Sequence, residues 1–306
     1  MVEYGRLFNM QVMILILTAI GYILRKLNII NTQARAGLTS LVIDVVLPCN
    51  IVYSFMIKLN HEVIKASIEV FVISILIQAV CYGLGWILYR KTSKEEEKVL
   101  KYATICSNAG FLGNPLVEGI YGSMGLMYAS IYLIPQRVCM WSAGVSCFTE
   151  AKGKDIVKKV LTHPCIIAVM IGMILMVFQI KLPEFATETI HTISNCTTTL
   201  SMIVIGGILA EIDIKTVISK LNLYYCVIRL FAIPLLVLLV CSFFKLYDLV
   251  VAVSTVLAGM PAGSTTVILA SKYNGDEKFA VRIVFLSTLL SMFTVPILCM
   301  IINMVQ

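Results

Sequence analysis

Long apolar stretches alternate with short polar ones along the whole chain. Ten segments each carry the roughly 20 mainly apolar residues that a helix needs to cross bilayer hydrocarbon: 7–25, 36–57, 66–89, 100–120, 124–148, 162–180, 190–210, 222–244, 248–271 and 279–303. The longest polar run, Arg90 to Lys98, is a charged connector, and no interval is long enough for a further domain. The pattern predicts an all-α integral membrane protein with ten transmembrane helices. Leu7 to Leu24 is kept as the first span, because its cations Arg25 and Lys26 follow the apolar run where a signal peptide has them in front.

Composition supports lipid as the outer solvent. Hydrophobic residues make up 59% of the 306 and charged residues 13%, against about 45–50% and about 25% in soluble domains. A water-soluble globule could not cover its surface with so few charges. The net charge of +7 resides in short loops, which points to membrane topology and away from nucleic acid. The ten cysteines lie mostly inside apolar runs and form no C-x-x-C pair, as expected of small packing residues. His61, His163 and His191 are scattered, so neither metal nor other cofactor is expected.

The cations set an orientation. Seventeen of the 24 Lys and Arg fall in the odd-numbered connectors, including Arg35, Lys94, Lys154, Lys220 and Lys278. Five fall in the even connectors and termini: Arg6, Lys58, Lys65, Lys181 and Lys245. Positive residues favour the cytoplasm, which places both termini on the other side of a multi-pass cell-membrane protein. Ten spans divide as five plus five, and because five is odd the halves 1–150 and 151–306 are expected to be inverted repeats meeting near Thr149 to Leu161. Inverted repeats are a transporter signature.

Two spans carry helix-breaking clusters at their centres. Segment 100–120 contains Ser107-Asn108-Ala109-Gly110-Phe111-Leu112-Gly113-Asn114-Pro115, and segment 248–271 contains Gly259-Met260-Pro261-Ala262-Gly263-Ser264-Thr265-Thr266. Glycine favours open backbone and proline removes a donor, while Asn114-Pro115 reads as a cap followed by a first helical residue. Each of these spans is therefore expected to stop and restart in mid-membrane. A restarted helix points free N–H groups and a positive dipole end into its surroundings, which suits an anion. The candidate substrate residues are Asn108, Gly110, Gly113, Asn114, Pro115, Pro261, Gly263, Ser264, Thr265 and Thr266. Pro135 and Pro234 read as ordinary kinks.

The run from Ser107 to Leu116 resembles the fourth-helix motif of the auxin efflux carrier family, N-T-G-F-x-G-x-P-L, with Ala109 standing where the pattern has threonine. Met260-Pro261, Leu269 to Tyr273, Ser287 to Ser291 with Pro296, Leu47-Pro48 and Gly206 to Ala210 resemble its other hallmarks, in order along nearly the whole chain. The resemblance implies a fold similar to bile acid sodium symporters, with scaffold helices in 7–57 and 162–210 and a moving core in 66–148 and 222–303. It further implies that broken helices four and nine cross, that the protein dimerises through its scaffold, and that access alternates in an elevator-like manner. The family moves organic anions such as auxin, malate or malonate. Without a long central loop, this chain resembles the short bacterial members.

Ionisable groups within a span are costly and need a reason. Arg137, beside Pro135 and Gln136, is a candidate two-pronged carboxylate ligand, with pairing to a helix carbonyl or an acid as the structural alternative. Asp44 is a candidate proton carrier. Glu69, Glu118, Glu211 and Arg229 are placed nearer span ends and read as structural. No nucleophile elbow, phosphate loop or pair of intramembrane acids suggests an enzyme. Carriage of a small organic anion is the function expected; the alternatives are a membrane sensor that keeps a transporter fold and a Na⁺-coupled symporter, with coupling to Na⁺, H⁺ or neither open. The orientation is testable: cysteines placed at Lys94 and Lys154 should react with impermeant thiol reagents from the cytoplasm alone, and one at Lys181 from outside alone.

Overall fold

The structure, a computed structural model, describes residues 4–56, 60–144, 146–148, 162, 164–210, 217–263, 265–272 and 275–305. Every element in it is helical or a connection, apart from one isolated backbone bridge. In order come α1 (Tyr4–Lys26), α2 (Thr32–Leu41), α3 (Leu47–Ser54), α4 (His61–Leu88), α5 (Lys94–Ile105) and α6 (Asn114–Cys139). There follow α7 (Pro164–Val177), α8 (Glu184–Ser194), α9 (Thr197–Leu209), α10 (Lys220–Val227), α11 (Ile233–Phe243), α12 (Asp248–Ala258), α13 (Thr265–Lys272) and α14 (Glu277–Val305). Five helices among the described residues are long and apolar enough to cross a membrane: Thr32–Ser54, His61–Leu88, Glu184–Leu209, Lys220–Phe243 and Glu277–Val305. The expected junction at Thr149 to Leu161, including Lys154, lies outside the described residues, as does Glu211.

Local chemistry explains where the helices begin. Ser93 accepts a bond from the Glu96 N–H and returns one from its hydroxyl to the Glu96 carboxylate, and three glutamates fill the first turn of α5. Asn31, Asn60 and Ser219 cap the starts of α2, α4 and α10 in the same side-chain-to-backbone manner. Three wide π-type turns, Val42–Val46, Ala109–Gly113 and Ile228–Ala232, each end two residues before a proline: Pro48, Pro115 and Pro234. A proline offers no N–H to the carbonyl four residues back and crowds it, and a wider turn relieves both. Gly122, at φ 68°, interrupts α6 in a conformation that suits glycine.

The chain divides into two compact units. One comprises Met1–Ser67, Asn114–Ile131 and Leu161–Glu211, the other Ile68–Gly113, Tyr132–Val160 and Ile212–Gln306. In the first, α1 packs along α9, and α3 packs against α7 and α8. Gly21 and Gly206 let α1 and α9 approach closely, since a Cβ on Gly21 would collide with the Ile203 carbonyl and one on Gly206 with the Thr18 carbonyl. Close backbone approach at small residues is a main source of helix association in lipid, where apolar burial supplies no drive. In the second unit α14 contacts α5, α10, α11, α12 and α13. Ile68, Leu76 and Ile87 on α4, with Leu239 and Phe243 on α11, remain exposed, as lipid-facing side chains do.

The glycine contact gives a direct test. Gly206→Val must push against backbone and should cost about 1–3 kcal/mol, read as a lower thermal midpoint of the purified protein. Gly37, whose Cβ would meet nothing within 4 Å, is the control: Gly37→Ala should leave the midpoint unchanged or raise it.

Candidate substrate site at the helix breaks

Segment 100–120 breaks after Ile105, where Cys106 turns extended, and segment 248–271 breaks after Ala258. The connecting strands of backbone then pair with each other. The Asn108 N–H donates to the Pro261 carbonyl at 2.7 Å, the Gly263 N–H donates to the Cys106 carbonyl at 3.0 Å, and Ser107 and Ala262 form an antiparallel bridge. Gly263 is needed here, because a Cβ on it would stand 3.1 Å from the Cys106 carbonyl oxygen. Gly113 serves the same approach: a Cβ there would lie 2.7 Å from Leu257.

Side chains satisfy the backbone groups that this pairing leaves over. Gln136 donates to the Ser107 carbonyl at 2.8 Å, and the Ser287 hydroxyl accepts from the Ala262 N–H at 3.2 Å. The Tyr225 hydroxyl donates to the Ala103 carbonyl at 2.9 Å. One turn further along, Arg229 donates from Nε to the Met260 carbonyl at 2.9 Å and from Nη1 to the Thr104 carbonyl at 3.1 Å. Its guanidinium thus ties together the carbonyl ends of both first half-helices, α5 and α12, where the helix dipoles are negative. Arg229 is 2% exposed.

Sequence comparison meets this geometry. The description of the membrane transport protein family matches residues 7–159 and 153–299. The chain belongs to this family, that of the auxin efflux carriers. It is similar over nearly its whole length to two proteins named uncharacterized transporters. One, from Methanothermobacter thermautotrophicus, is 24% identical over 93% of this chain and 94% of its own; the other, from Methanocaldococcus jannaschii, is 23% identical over 94% and 96%. The uncharacterized transporter YfdV of Escherichia coli K12 is 24% identical over 85% of this chain and 86% of its own. The protein is accordingly a multi-pass membrane transporter.

Several of the transporter's sequence-predicted residues come together at the paired breaks. Asn108, Pro261 and Gly263 supply backbone to the pairing. Gly110 makes room for Arg137, whose Nη2 would be 3.3 Å from a Cβ at that position. The Thr265 hydroxyl accepts from Tyr102 at 3.0 Å. Ser264 lies outside the described residues. Asn114 and Thr266 are 1% and 0% exposed, yet Asn114 Oδ1 and Nδ2 and Thr266 Oγ1 have no hydrogen-bond partner. Asp44 is elsewhere: it is exposed in the turn before α3 and borders an apolar groove with Pro48, Val52 and Pro164.

Two readings of the sequence need correction. Asn114 is not a cap: the π-type turn Ala109–Gly113 precedes it, and the Asn108 carbonyl accepts from the N–H groups of Leu112 and Gly113. Winding therefore resumes directly after the backbone pairing, and Asn114-Pro115 sits a turn inside. Arg229 is not an interface residue. The helix of the eighth segment begins at Lys220, which puts Arg229 about 14 Å along it, too deep to reach headgroups. The Tyr225 and Arg229 spacing of four, both polar on one face of an apolar helix, was the signal that could have found it.

Removing the guanidinium should expose its role. Arg229→Met leaves two buried carbonyls without donors, at about 1–3 kcal/mol each, and should lower the thermal midpoint sharply. Arg229→Lys, which keeps the charge but not the two-directional donor, should fall between Met and the parent.

Proposed function

We propose that this transporter carries a small organic anion, a carboxylate, and binds it at the two helix breaks. The observation that carries the reading is the set of buried polar atoms without partners beside those breaks, on Asn114 and Thr266. Unsatisfied donors in an apolar span are costly, so a ligand or water is called for. The paired breaks of the second unit also hold two guanidinium groups, Arg229 at the Met260 and Thr104 carbonyls and Arg137 beside Gly110. Arg229 is occupied by carbonyls and contributes field. Arg137, half-buried over Gly110, is the group we assign to the carboxylate.

In this reading Asn108, Gly110, Gly113, Asn114, Pro115, Pro261, Gly263, Ser264, Thr265 and Thr266 shape the site. The halves 1–150 and 151–306 act as inverted repeats, and the family match in two stretches that overlap at 153–159 supports that division. Scaffold helices in 7–57 and 162–210 would hold a homodimer while core helices move, in an elevator-like exchange of access, with both termini on the non-cytoplasmic side.

The test is binding and flux of malate, malonate and auxin in proteoliposomes. Pro115→Ala and Pro261→Ala restore an N–H and remove the ring that keeps the helix from running through, and should abolish flux. Asn114→Ala, Thr265→Ala and Arg137→Lys should weaken binding by the equivalent of about 0.5–1.5 kcal/mol per lost neutral contact, and more for the arginine. Parental transport in all five variants, correctly inserted, would overturn the assignment.

A further inference from the structure

The half-buried carboxylate of Glu118 has no part in the site just described, and its surroundings give it one of its own. Glu118 lies one turn after Asn114 in α6, within the first unit. Its Oε2 accepts a bond from Asn50 Nδ2 in α3 at 3.1 Å. Asn50 is 0% exposed, and its Oδ1 accepts from the Ser194 hydroxyl in α8 at 2.6 Å. An ionised carboxylate can only accept, so the NH₂ of Asn50 faces Glu118, and the Ser194 hydroxyl, able to donate or accept, donates to the Oδ1 on the other side. A chain of three side chains thus joins α6 to α3 and α8. Beside it opens a cavity of about 410 Å³, lined by Asn9, Met13, Pro115, Glu118, Ser194 and Thr198.

The charges around Glu118 are sparse. Among the described residues, α8 contributes His191, which acts on Glu118 through space and stacks on Tyr53 of α3 at 4.6 Å between centroids. Among the described side chains, α1 brings Asn9 and Met13 to the cavity and α3 brings Asn50 to the carboxylate, none of them a cation. A lone carboxylate in an apolar span is kept for a purpose in membrane proteins, most often proton or ion movement. A proton needs one carboxylate oxygen and a path for water to reach it, and Glu118 beside the polar-lined cavity offers both.

We propose that Glu118 is the proton-coupling site of this transporter and that its contact with Asn50 is the latch it controls. The proposal rests on the carrier reading above. An ionised Glu118 stays bound to Asn50 through a charge-assisted hydrogen bond. Water in the cavity delivers a proton to a carboxylate oxygen, the group becomes a neutral acid, and α6 is then free to shift away from α3. Return of the proton to water on the other side restores the latch. Asp44, exposed beside an apolar groove, has no comparable partners.

The experiment uses the full chain in proteoliposomes with the membrane potential clamped at zero and labelled malate, malonate or auxin as probe. The parent should concentrate the anion when an inward proton gradient is imposed, by up to about tenfold per pH unit for one coupled proton. E118Q, isosteric with the neutral acid, should still exchange labelled for unlabelled anion but concentrate none. E118D, which keeps a titratable group, should regain part of the concentration. The proposal is overturned if E118Q concentrates anion like the parent, if the parent is indifferent to the gradient, or if correctly inserted E118Q loses exchange as well. Absence of any uptake or exchange by the parent removes the carrier reading itself, and this proposal with it.

Discussion

A backbone amide or carbonyl in hydrocarbon has no water to turn to, and a broken helix exposes several at once. Everything distinctive about this protein follows from how those groups are satisfied. At the first break the Ala103, Thr104, Cys106 and Ser107 carbonyls are taken up by Tyr225, Arg229, Gly263 and Gln136. At the second, the Met260 and Pro261 carbonyls are taken up by Arg229 and Asn108, and the Ala262 N–H by Ser287. Each break is thus the partner of the other, and neither could persist alone.

The same accounting identifies where chemistry can occur. With the carbonyl ends neutralised by Arg229 and Tyr225, the polar atoms left without partners include those of Asn114 and Thr266, at the restarted helices. Covering the negative helix ends is what the proposed anion site would require of these two breaks. The glycines serve geometry: Gly113 and Gly263 allow the approach to Leu257 and to the Cys106 carbonyl, and Gly110 leaves space for Arg137.

The first unit obeys a different constraint. Its helices meet through glycine, with Gly21 and Gly206 bringing α1 and α9 into backbone contact, a rigid packing that lipid does not compete with. Set into that packing is one polar chain, Ser194 to Asn50 to Glu118. In the proposed coupling, the charge of that single carboxylate decides whether its bond to Asn50 is the stronger, charge-assisted one.

Much of this was legible in the residues alone. Apolar run lengths predict membrane helices because lipid imposes a minimum span, and the Gly, Asn and Pro clusters predict both breaks because those residue types disfavour continued winding. The resemblance carried by Ser107 to Leu116 pointed to the family. Tertiary structure alone decided which side chain answers each exposed backbone group. Arg229 could be placed only once α10 was seen to start at Lys220 and its face to meet two helix ends more than 30 and 120 residues away. Glu118 reads along the chain as a structural acid near a span end, and only the tertiary structure sets Asn50 and Ser194, from two other helices, at its side. Winding and burial are set by near neighbours and by composition, so they can be read along the chain; hydrogen-bond partners are chosen by packing between distant segments, which no local pattern encodes.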